Sequence, residues 1–149
     1  MFLLTIISCN HQDTTQEIRG YIYIKLIDLG NLQGLSKERI DSIKKEMEND
    51  NKVTTQEEKD IYNYFDLIFK NELENKSTFF LELDGNNDRV RVFISPEEYQ
   101  PIDNLIKDLD KENERIELVL QAKPIEDGVF LAEKIKSIQK TSGKTNWSK

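Results

Sequence analysis

Between residues 18 and 140 the period of the apolar side chains changes repeatedly, and this restricts the fold more than any other feature of the chain. Ile18, Ile22, Ile24 and Leu26 share one phase of an alternating stretch, with Arg19, Tyr21, Tyr23 and Lys25 on the other. That pattern predicts a half-buried strand over 18–29. Gly20 within it predicts a bulge or sharp bend, the device by which one strand serves both sides of a small barrel. Ser36 then stands ready to cap a helix carrying Ile40, Ile43 and Met47. Thr55 and Glu58 have capping-box spacing ahead of Ile61, Phe65, Ile68 and Phe69, and the two stripes predict an antiparallel helical pair.

Alternation returns in Phe79, Leu81 and Leu83, and again in Val90, Val92 and Ile94. Asp84-Gly85-Asn86-Asn87-Asp88 separates the two runs and predicts a hairpin. The opposite phases hold Thr78, Phe80 and Glu82, then Arg89, Arg91 and Phe93. Ser95-Pro96 starts a further helical segment, which Pro101 is expected to break into a short turn and a helix over 101–111 with Ile102, Leu105, Ile106 and Leu109 buried. Ile116, Leu118, Leu120 and Ala122 predict a fourth strand, residues 124–128 a turn, and residues 129–140 a fifth strand. That last strand is bulged, because Ile135 leaves the phase shared by Phe130 and Ala132. In order of elements the chain resembles the OB-fold, a five-stranded, partly open barrel with a helix between its third and fourth strands. The resemblance implies an α+β domain with the helical pair inserted between strands 1 and 2. An open antiparallel sheet with helices on one face is the alternative expectation.

Met1 to Cys9 reads MFLLTIISC, an apolar run far shorter than the roughly 20 residues a membrane span needs. Ile6-Ile7-Ser8-Cys9 resembles the lipobox of bacterial lipoproteins, although no lysine or arginine precedes the run as in most signal peptides. The resemblance implies a signal-like segment over 1–8, lipidation of Cys9 with acyl chains such as palmitate, and a polar tether over 9–17. A single α+β domain over 18–140 and a basic, solvated C-terminal tail over 141–149 complete the expected organisation. On this reading the protein is anchored by lipid to a membrane of the cell envelope, at its periplasmic or outer-membrane face. A cytoplasmic protein with a buried, inert Cys9 is the alternative.

Charge and residue counts narrow the chemistry. A net charge of −7 argues against nucleic acid as a general partner, although 134–149 carries five lysines and no acid. One cysteine and one histidine exclude an internal disulfide and a Cys/His metal site, and His11 lies in the expected tether, where nothing would position it for catalysis. Asp84, Asn86 and Asp88 alternate as in a calcium loop, yet Gly85 is misplaced and Ser95 stands where the closing glutamate belongs. Gly143-Lys144-Thr145 ends like a phosphate-binding loop, but Ile138 occupies the position of its first glycine. No cofactor and no metal is expected. Tyr21, Tyr23, Phe80, Arg91 and Phe93, on the non-core phases of the first three strands, are the candidate ligand-binding residues for a protein or oligosaccharide partner, unless the helical pair covers them. Trp147, in the sequence GKTNWSK, joins them as an exposed anchor or a docked side chain. The expected activity is binding without catalysis. An immunity-type protein that neutralises a toxin and a carboxylate-dependent hydrolase are the alternatives.

Overall fold

The computed structural model describes residues 14–26, 28, 32, 34–49 and 55–148. The signal-like segment, Cys9 and His11 lie outside these residues. Strand β1 spans Gln16–Lys25, so the last two residues of the expected tether, Gln16 and Glu17, are already paired with Ala122 and Gln121. Helix α1 spans Lys37–Met47 behind the cap Ser36, whose Oγ accepts from the Arg39 amide at 3.2 Å. Helix α2 spans Gln56–Lys70 and opens with a reciprocal capping box in which Thr55 and Glu58 exchange bonds of 3.1 and 3.0 Å. Both caps satisfy amides that a helix start leaves without partners.

Strands β2 (Ser77–Leu83) and β3 (Arg89–Ile94) form the expected hairpin. At its tip Gly85 and Asn87 take positive φ, and Asn86 holds Asp88 through two bonds of 2.8 and 3.0 Å. Asn86 and Asp88, two of the three residues with calcium-like spacing, therefore serve the turn. Helix α3 spans Pro96–Lys107 and runs through Pro101 without the expected break. Proline removes one amide there, and its acceptor would be the carbonyl of Glu97 in the exposed first turn, so the loss is confined to one bond close to solvent. Strands β4 (Glu114–Glu126) and β5 (Val129–Ser142) are longer than expected, and β4 continues through Pro124 because β1 stops pairing with it at Ala122, leaving that edge without a ladder. A two-residue strand, β6 (Trp147–Ser148), was not legible as one.

The class is α+β, with a six-stranded mixed sheet in which the pairing of five strands returns to its start. β1 pairs antiparallel with β4 through residues 16–21 and with β2 through residues 20–23; β2 continues to β3, β3 runs parallel to β5, and β5 pairs with β4. The parallel pairing of β3 with β5 makes the sheet mixed, where the alternative expectation had it antiparallel. Gly20 is the joint, paired with both Leu83 and Leu118; a methyl group there would overlap the Glu82 carbonyl and lie 2.9 Å from Leu81 Cγ. On β5 the register skips Glu133 and Lys136, which places Ala132, Ile135 and Ile138 opposite Ala122, Leu120 and Leu118. The bulges are the means by which Ala132, Ile135 and Ile138 keep to one face of β5.

Two apolar clusters result. The inner one gathers Ile22, Leu81, Val92, Ile116, Leu118 and Leu120 with Ile102 of α3. The second packs Ile43 of α1 and Leu67 and Ile68 of α2 onto Phe93 and Val129, which are on the other face of β3 and β5.

Candidate functional site

The outward phases of the strands form cross-strand rows in which rings and charges alternate. Tyr23 lies opposite Phe80, and Phe80 opposite Arg91; one row away Tyr21 lies opposite both Glu82 and Glu117, with Arg89 and Gln139 beyond them. The structure thus brings Tyr21, Tyr23, Phe80 and Arg91 together, but it covers the face from two sides.

The helices cover one side. Phe93 is 2% exposed and stacked on Tyr64 of α2 with ring centroids 6.4 Å apart. The Arg91 guanidinium lies between Phe80, at 4.3 Å, and Tyr64, at 4.5 Å, and holds Asp28 by two bonds of 2.9 and 3.0 Å. Burial raises the Tyr64 pKa, Arg91 opposing and Asp28 adding to the effect, so the hydroxyl remains neutral at physiological pH. Tyr23 is 5% exposed beneath Arg89, whose guanidinium lies 4.0 Å from the ring and reaches Glu82 at 3.6 Å. Phe93 and Tyr23 therefore offer no surface to a ligand, and Arg91 is committed to internal partners.

The C-terminal segment covers the other side. Gly143 and Thr145 donate amides to Asn113 and Lys111 carbonyls at 3.0 and 2.8 Å, and the buried Thr145 hydroxyl donates to the Glu114 carbonyl at 2.6 Å. Asn146 reaches Glu82 at 2.9 Å, and the carbonyls of Asn146 and Ser148 accept the Ile24 and Leu26 amides along the edge of β1. The expected solvated tail is instead a strap, because carbonyls at the α3–β4 connection offer its amides better partners than fraying would. Three lysines here are neutralised locally: Lys136 pairs with Glu17, Lys140 with Glu114 and Lys144 with Glu112. The hydrogen bond from Lys136 holds the Glu17 carboxyl below its ordinary range, and the Asp110 amide, helped by Lys140, does the same for Glu114. Trp147 remains 47% exposed, with Leu26 also open on the neighbouring strand.

Beneath the strap lies a pair in which sequence reading saw only Tyr21. The half-buried Tyr21 donates its hydroxyl to Glu117 at 3.3 Å, and the Arg115 guanidinium lies 3.7 Å from its ring centroid. Glu117 is further held by Gln139 at 3.0 Å. Arg115 donates to no acceptor among the described residues, and its Nε is fully buried; Thr141, its cross-strand partner, has an equally buried and unpartnered hydroxyl. A donor left in this state costs about 1–3 kcal/mol. The signal that would have found Arg115 is its phase, which it shares with Glu117 two residues along β4.

Glu82 and Glu117 are the carboxylates nearest Tyr21 in register; Glu117 accepts from Tyr21 and Gln139, and Glu82 accepts from Asn146 and is ion-paired with Arg89, which suits them to positioning more than to proton transfer. Among the described residues no three His, Cys, Asp or Glu side chains converge as metal ligands, and no helix is long and apolar enough to cross a membrane. A groove of about 380 Å³ between α1 and α2 is lined by Leu32, Leu35, Ile43, Ile61 and Phe65. Compared with protein-family models, curated proteins and solved structures, the chain matches none.

Proposed function

We propose that the chain is a binding module without catalytic activity, held at the bacterial cell envelope by lipid on Cys9. The observation that carries this reading is the spacing of its N-terminal residues. Ile6-Ile7-Ser8-Cys9 has the lipobox order, and the six residues 10–15 separate Cys9 from Gln16, the first paired residue among those described. The seven steps from Cys9 to Gln16 span at most about 25 Å when fully extended, which sets the domain close to its anchor. Acyl chains contribute ~0.8 kcal/mol per buried methylene, so a multiply acylated cysteine is a durable attachment.

The finer architecture we propose is an OB-like, partly open barrel. The returning pairing of five strands supports it, as do α3 between β3 and β4, Gly20 at the joint of β1, and the helical pair between β1 and β2. In such a barrel the outward face offers rings and charges to extended ligands, and here Trp147 and Leu26 stay exposed beside the strap.

Growth with labelled palmitate tests the anchor. The wild type takes up label and fractionates with membranes, while Cys9→Ala is unlabelled and soluble. A wild-type protein that stays unlabelled and soluble would return the reading to a cytoplasmic one. An immunity-type function draws on a different observation, the acidic groove of Glu38, Asp41 and Glu46 beside Tyr62. Recovery of a basic toxin in a pull-down that Asp41→Lys abolishes would favour it.

A further inference from the structure

We infer that Arg115, laid on the Tyr21 ring, is a subsite for the carboxylate group of a ligand. The inference deepens the binding reading by naming a chemical class, and it is independent of the lipid on Cys9. Arg91 shows how this chain builds a structural guanidinium: a ring on each face and a carboxylate gripped by two bonds. Arg115 has the ring on one face and, among the described residues, no carboxylate. Glu117 shares its face of β4 but is held by Tyr21 and Gln139 instead. A part-buried cation left in this state is an uncompensated cost to the fold, and a ligand oxygen is what would offset it.

The geometry also fixes the direction of approach. Gly143, at a φ of 137°, lets the strap cross the Nε edge so closely that a methyl group there would lie 2.8 Å from Nε. The Nε edge is therefore closed, and the two Nη groups are the fork left for a ligand. Two parallel N–H donors in a plane held by the tyrosine ring match the two oxygens of a carboxylate end-on. Thr141, opposite Arg115 in register on β5, carries a second buried and unpartnered hydroxyl. A free organic acid and an acidic sugar present the same group, and the experiment separates them.

Full-length, isotope-labelled protein carrying Cys9→Ser is titrated with sodium acetate, with digalacturonate and with sodium chloride at matched ionic strength. The Arg115 Nε–H and Tyr21 ring signals are followed by NMR. The expected result is a saturable shift of both signals with a carboxylate and none with chloride. Saturation by acetate assigns the site to the bare carboxylate; saturation by digalacturonate alone assigns it to the acidic sugar. Arg115→Lys, which keeps the charge and loses the fork, binds at least about tenfold more weakly at an unchanged melting temperature. No saturable shift with either carboxylate overturns the inference, as does an Arg115→Lys protein that binds as well as its parent. Either failure leaves the palmitate result where it stood.

Discussion

Arg91 and Arg115 both lie on aromatic rings on the outward side of the sheet, and their surroundings differ in kind. Around Arg91, α2 supplies a second ring, Tyr64, and Asp28 of the β1–α1 connection a bidentate carboxylate, in a nearly closed space. Around Arg115 a glycine-led strap supplies backbone cover and no acid. The first arrangement fastens α2 to the sheet; the second holds a cation in place with its outer edge unused. One chemical motif thus serves structure on one side of the molecule and remains available for recognition on the other.

The sharpest way to test that division is Phe93→Ala, which removes the ring beneath α2 and is expected to cost about 3–5 kcal/mol in urea unfolding. A cost under about 1 kcal/mol would mean that this face does not hold the helices. Asp28→Ala comes next: it leaves the Arg91 guanidinium without its carboxylate, and a loss of about 2–3 kcal/mol is expected in the same measurement. Acid acts on the strap side. The Glu17, Asp110 and Glu114 pKa values are lowered in the fold, so their contribution is complete above the ordinary carboxylate range near pH 4 and is lost as pH falls through the lowered values. Amide exchange at Gly143 and Thr145, corrected for its intrinsic pH dependence and compared with Ile68, should therefore accelerate below about pH 4. An unchanged ratio down to pH 3 would count against it. The smallest effect belongs to Arg115→Met, expected to shift stability by no more than about 0.5 kcal/mol, since a lost cation–ring contact is offset by removal of an orphan donor. A loss above about 1.5 kcal/mol would make Arg115 as structural as Arg91.

The contrast also separates what can be read in the chain from what cannot. Ser36, Thr55, Ser95, Gly20 and the phase change before Ile135 each act on neighbours close in the chain or on their own strand, so local spacing discloses them. The Arg91–Asp28 clasp joins residues 63 positions apart, and no periodicity marks such a pair. Tyr64 sits on α2 three residues after Ile61 and three before Leu67, yet its polar hydroxyl kept it out of an apolar stripe. The strap was missed for a different reason. Its strongest bonds run from Thr145 to the carbonyls of Lys111 and Glu114, and a main-chain acceptor has no residue identity to recognise.

The double membership of β1 has a mechanical consequence. Six consecutive residues, Gln16 to Tyr21, are paired with β4 before the strand passes to β2, and antiparallel ladder bonds lie across the strand axis. Tension entering along the chain at Thr14 would load those bonds side by side, in shear, so that they must give way together. Pulling from the opposite terminus would meet only the short β6 first and could peel it away pair by pair. Force spectroscopy with the handle moved from one end to the other should record that asymmetry as a high rupture force against a low one, and equal forces would deny it.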